Sequence, residues 1–177
     1  VTTAWGLSGR LDGIIWMVTE ALGVSITTFS AQNFGARNYE RMRKGYHTSL
    51  VLSFVLIGGL SAVLMVFSGP LSRLFIDDAA ISGYTTTIIH FIAPFYAIFS
   101  IIENASGSIR GAGVSFQPMV LTIFGTVVLR VIWLFAIMPL DPSLEHLLLV
   151  YPITWLITAT MFTIYHHSGN WLGRATA

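Results

Sequence analysis

Apolar residues fill five long stretches of this 177-residue chain, near 12–34, 48–69, 84–106, 116–138 and 147–166. Each is long enough to cross roughly 30 Å of hydrocarbon, which takes about 20 helical residues. The second is the cleanest, since Thr48 to Gly69 holds no ionisable group. The first, third and fourth each contain at least one. A segment in lipid must satisfy its own backbone hydrogen bonds, which leaves helices or a closed barrel. Barrel strands alternate in polarity over about ten residues, and runs such as Leu147-Leu148-Leu149-Val150 do not. The pattern predicts an all-α integral membrane protein with five transmembrane helices. Residues 1–177 read as a single partial transmembrane domain, because Val1 opens the chain and suggests a piece of something longer.

The connections follow the same division. Gly69-Pro70 is expected to end the second span, Arg110-Gly111-Ala112-Gly113 to separate the third from the fourth, and Pro139-Leu140-Asp141-Pro142 the fourth from the fifth. Proline continues a helix only by losing a backbone hydrogen bond. Pro94 is expected to kink the third span, while Pro118 and Pro152 are assigned to first turns, where proline is tolerated.

Charge then orients the chain. Arg37, Arg41, Arg43 and Lys44 crowd the first connection, and short loops rich in Lys and Arg stay in the cytoplasm. The next loop, with Arg73 against Asp77 and Asp78, falls outside. Arg110 falls inside, Asp141 and Glu145 outside, and His166, His167 and Arg174 inside. Every connection obeys the tendency, so the amino end, where Arg10 and Asp12 cancel, is expected outside and the carboxyl end in the cytoplasm of a cell (inner or plasma) membrane. No basic region precedes an apolar core at the amino end, so that stretch is no signal peptide.

Composition adds exclusions. The chain is 54% hydrophobic and 10% charged, against about 25% charged in soluble domains. It has no cysteine, hence no disulfide framework. Its few cations are spread over separate loops, which argues against nucleic acid as a partner. No metal-ligand spacing, nucleophile–base constellation or dinucleotide loop appears, so neither an enzyme nor a cofactor is expected.

Charges inside spans are costly and normally face a partner or a water-filled cavity. Glu20 and Arg130 each lie eight residues from the outer ends of their spans, a depth of about 12 Å, and His90 lies about 9 Å deep. One reading is a proton- or cation-coupling site on Glu20, tuned by Arg130 or His90. The other is a structural Glu20–Arg130 pair that fixes helix packing. Glu103 and Asn104 are read as a solvated end of the third span. Gln32 and Asn33 are read as links between helices or caps on helix carbonyls. Gly107 and Gly111 have close-packing spacing. Trp5 and Trp171 sit where interfacial anchors would, whereas Trp16, Trp133 and Trp155 are assigned to packing.

Gln32-Asn33-Phe34-Gly35-Ala36-Arg37-Asn38, followed by a basic cluster and a new span, resembles the multidrug and toxic compound extrusion (MATE) family. Ser108-Ile109-Arg110-Gly111-Ala112-Gly113 with Gln117-Pro118-Met119 adds to the resemblance. So do Leu129-Arg130-Val131-Ile132-Trp133 and Tyr151-Pro152-Ile153-Thr154-Trp155. The resemblance implies two lobes of six helices each, of which this chain looks like the last five of the carboxyl-terminal lobe. It implies antiport of small cationic organic compounds against protons or sodium ions, with the lipid bilayer and the missing amino-terminal lobe as partners. One departure stands out. Some members carry an acidic cation-binding residue in the middle of the third span, and here that stretch reads Phe95-Tyr96-Ala97-Ile98-Phe99-Ser100. Glu20 is therefore the leading coupling candidate, with a lipid-linked precursor flippase or a non-transporting scaffold as alternative functions.

The orientation has a direct check. In a cysteine-free version of the full-length parent, Arg43→Cys should react with an impermeant thiol reagent only from the cytoplasmic side, and Asp77→Cys only from outside. The opposite labelling would reverse every loop assignment.

Overall fold

A computed structural model describes residues 2–140, 142–169 and 171–172. Asp141 and Arg174, used above for orientation, lie outside the described residues. The helices are α1 (Thr2–Leu11), α2 (Gly13–Gly35), α3 (Tyr39–Phe75), α4 (Ala79–Ile92), α5 (Tyr96–Gly111), α6 (Phe116–Thr122), α7 (Leu129–Ala136) and α8 (Leu144–Ser168). Ala93–Phe95 forms a 3₁₀ turn between α4 and α5, and Ile123–Val128 a π-helical turn between α6 and α7. There is no strand among the described residues. Five helical stretches are long and apolar enough to cross a membrane: Gly13–Gly35, Tyr39–Phe75, Ala79–Gly111, Phe116–Ala136 and Leu144–Ser168. They agree with the prediction in number and order, and the second and third run beyond the expected 48–69 and 84–106.

Pro94 acts as predicted, because α4 stops and the chain tightens into the 3₁₀ turn around it. Two other prolines do not. Pro70 lies inside α3, which continues to Phe75, and Pro152 lies well inside α8, which begins at Leu144. Both are carried within long helices whose neighbouring turns hold the backbone. At about 55 Å, α3 is much longer than the hydrocarbon is thick. The tight α2–α3 turn rests on Arg37, whose φ of +56° is left-handed. That turn lets the Asn38 N–H donate to Asn33 O at 2.8 Å, while Asn38 Oδ1 caps α3 by accepting from the Arg41 N–H at 3.1 Å.

The closest packing joins α2 to α5. A Cβ on Gly107 would stand 2.8 Å from Gly23 O, and one on Gly111 would stand 2.4 Å from Thr27 O. The predicted glycine spacing therefore brings two backbones together. Gly125, in the π-helical turn, meets Thr158 of α8 in the same way, at 2.0 Å from Thr158 Oγ1.

Polar side chains tie the remaining helices. Asn104 is buried at 1% exposure; its amide donates to Ser53 Oγ at 2.9 Å and to Ser100 O at 2.8 Å, and Ser49 Oγ donates to its carbonyl. That overturns its reading as a solvated helix end. Trp171 is also buried rather than interfacial, with its indole N–H donating to His166 O at 3.0 Å. Outward, α3 exposes Val51, Val55, Val63 and Val66, and the fourth span exposes Phe124, Val127, Val131 and Phe135. These are lipid-compatible faces.

A side chain at Gly111 should break the α2–α5 seam. Gly111→Val in the full-length parent is expected to cost about 1–3 kcal/mol of stability by overpacking, read as a lower thermal midpoint in detergent. Gly58→Ala, which meets nothing within 4 Å, should leave that midpoint unchanged or slightly higher.

Candidate ion-coupling site

The Gly23 notch is filled from α5. With no side chain on Gly23, the Glu103 carboxylate lies against α2, its Oε2 only 2.9 Å from where a Gly23 Cβ would be. Glu20, one turn earlier on α2, opens into the same space. Together with Trp16, Thr19, Val24, Phe99 and Arg110 these two carboxylates line a cleft of about 390 Å³. Arg110 Nη2 stands 3.8 Å from Glu103 Oε2, a long ion pair with both side chains partly exposed. Two carboxylates and one guanidinium sum to one negative charge when all are ionised. Charges held among membrane-crossing helices normally face a partner or a water-filled cavity, and these face both. Glu103 is thus no isolated helix end, since the helix that lacks an acid at Phe99 presents one a turn later, beside Glu20.

The three groups of equal depth have three different surroundings. The Arg130 guanidinium lies 4.5 Å from the centroid of the Tyr151 ring, and its Nε stands 3.5 Å from Thr154 Oγ1. His90 Nε2 lies 2.9 Å from Met65 O and 3.2 Å from Ser68 Oγ, tying α4 to α3. Among the described residues no ion pair joins Glu20 to Arg130. Equal depth located the groups but not their angular positions. Asn33 Nδ2 donates to Phe29 O at 2.7 Å, a bond within α2 that serves the capping reading, and the Gln32 side chain is exposed.

Asp12 was missed. Read from sequence it merely balances Arg10; in the fold it is 9% exposed and accepts the Tyr96 O–H on Oδ2 at 2.5 Å. The available signal was its position, immediately before the first span and one helical turn from Trp16.

Comparison with known proteins follows the fold. A probable multidrug resistance protein, YoeA of Bacillus subtilis, is 24% identical over 123 residues, covering 70% of this chain and 27% of its own length. A probable multidrug resistance protein NorM of Aromatoleum aromaticum is 29% identical over 113 residues, covering 63% of this chain and 24% of its own. The chain therefore spans about a quarter of the length of these relatives. Among solved structures, the MATE transporter ClbM in complex with Rb+ superposes with a TM-score of 0.86 at 21% identity, covering 98% of this chain and 42% of that one. The model of the MatE family matches residues 2–135, most of the chain, and the chain belongs to that family.

Proposed function

We propose that this chain is part of a cation-coupled multidrug antiporter, forming most of its carboxyl-terminal lobe. The full transporter exports cationic organic compounds in exchange for protons or sodium ions. The observation that carries the reading is the Glu20–Glu103–Arg110 cleft, a net negative site built into membrane-crossing helices. Membership of the MatE family and the multidrug-resistance names of the relatives support it. In this reading Glu20 takes up the coupling ion, and Glu103, held by Arg110, adds the second carboxylate. Release of the ion frees the negative charge for a cationic substrate, and one lobe swings against the other about a midplane site. The amino end of the chain lies outside and the carboxyl end in the cytoplasm.

A flippase for phosphate-bearing lipids would need several free cations facing one cavity. Here Arg110 pairs with Glu103 and Arg130 lies on Tyr151, which favours antiport.

The full-length parent in vesicles, with an imposed proton or sodium gradient and a fluorescent aromatic cation as cargo, gives the test. Glu20→Gln should reduce gradient-driven export at least about tenfold while membrane insertion stays intact, because removing the charge removes what the ion binds. Glu103→Gln should act in the same direction and more weakly. Normal export by Glu20→Gln would remove Glu20 from the coupling role.

A further inference from the structure

Apart from the Glu20–Glu103 cleft, and a cavity of about 240 Å³ that Trp16, Tyr96 and Trp155 wall beside Asp12, a third space opens between α2 and α3 at the end carrying the basic cluster. It measures about 500 Å³. Leu22 and Ile26 of α2 and Leu52 of α3 line its depth, while Arg41 and Lys44 stand at its mouth. The Phe29 ring is seated against α3 because residue 45 is glycine: a Cβ there would stand 2.0 Å from Phe29 Cε1. The Arg41 guanidinium in turn lies 5.8 Å from the centroid of that ring.

The two ends of this groove differ in chemistry. Along its depth the hydroxyls are already spent. Ser25 Oγ donates to Ala21 O at 2.7 Å, Thr48 Oγ1 to Lys44 O at 3.0 Å, and Ser49 Oγ to the Asn104 carbonyl. Those walls offer an occupant apolar surface. At the mouth the charge is uncommitted. Among the described residues Arg41 pairs with no carboxylate. Lys44 Nζ lies 2.7 Å from Glu40 Oε1, but both side chains are more than three-quarters exposed, and such a surface pair is worth little. A guanidinium and an ammonium three residues apart on one helix offer a fork and a point charge to a phosphate.

Length and position narrow the occupant further. From Arg41 to Leu52 the lining runs eleven residues, or about 16 Å of helix, close to half of the roughly 30 Å hydrocarbon thickness. Thr48 and Leu52 are exposed and adjoin Val51 and Val55 on the lipid-compatible face of α3. The groove thus reaches through one leaflet and opens toward lipid. In the orientation proposed above that leaflet is the cytoplasmic one, whose surface carries anionic lipids.

We propose that the groove holds an acyl chain of an anionic phospholipid, with the lipid phosphate between Arg41 and Lys44. Because the groove spans a single leaflet, its occupant is a resident lipid and not cargo, and it requires neither Glu20 nor an ion gradient.

Native mass spectrometry of the delipidated full-length parent in detergent, given dioleoyl phosphatidylglycerol and dioleoyl phosphatidylcholine at equal concentration, tests it. Phosphatidylglycerol adducts should exceed phosphatidylcholine adducts at least about fivefold. Arg41→Gln combined with Lys44→Gln should cut that excess at least about threefold. Arg37→Asn combined with Arg43→Gln removes the same charge from the same connection but outside the groove lining, and asparagine suits the left-handed φ at residue 37. That pair should leave the excess within about twofold of its original value. Ser25→Phe, at an exposed position, fills the groove with every cation in place and should lower phosphatidylglycerol adducts at least about threefold. Equal adducts of the two lipids on the unsubstituted parent overturn the proposal and leave the groove to the other lobe. So does an excess that both double variants lose alike, which marks diffuse surface charge. An excess that Ser25→Phe leaves intact overturns it too, since the headgroup is then held without a seated chain. Micelles have neither a gradient nor a membrane side, so these outcomes stand apart from the export and labelling experiments.

Discussion

The approach of α2 to α5 is the constraint on which the rest of the fold depends. Between helices in lipid no hydrophobic gain is available, since the tails are as apolar as leucine, and association rests on close packing and hydrogen bonds. Gly107 and Gly111 bring the α5 backbone onto the Gly23 and Thr27 carbonyls. Thr27 Oγ1 keeps its own bond to Gly23 O at 2.7 Å. Once that distance is set, the notch at Gly23 is the space into which Glu103 fits, and Glu20 and Glu103 share a cleft as a consequence of the packing. Small residues along this seam therefore decide where charge is held.

Short hydroxyl side chains serve this seam and its neighbours in the same way. Ser72 Oγ and Ser82 Oγ lie 2.6 Å apart between α3 and α4, and Ser30 Oγ lies 3.4 Å from Ser108 Oγ between α2 and α5. Each pair is thin enough for close helix contact and satisfies groups that lipid cannot. His90 belongs with these ties, since its ring reaches the Met65 carbonyl and the Ser68 hydroxyl of α3.

Sequence made the spans legible because hydropathy is a one-dimensional property and bilayer thickness fixes the length it must cover. The same reasoning reads Pro94 correctly and fails at Pro70 and Pro152, where long helices tolerate proline within the bundle. Depth along a span was also legible, but azimuth was not. Glu20, His90 and Arg130 share a level and face three different neighbours, because rotation about each helix axis is set by contacts such as Gly111 against Thr27. Asp12 was invisible for a related reason: its partner Tyr96 lies 84 residues away on α5, and the helix before it, α1, has ten residues and is too short to register as a span.

α5 acts as a ruler for both acidic sites. Tyr96, which holds Asp12, and Glu103, which faces Glu20, are seven residues apart on it, or about 10 Å along the helix axis. Trp16 of α2 lines both cavities, with its ring 5.5 Å from Tyr96 and 5.0 Å from Phe99 between their centroids. One indole thus separates an aromatic enclosure with a single carboxylate from a polar cleft with two. The two compartments differ in wall chemistry, with rings on one side of Trp16 and two carboxylates with a guanidinium on the other.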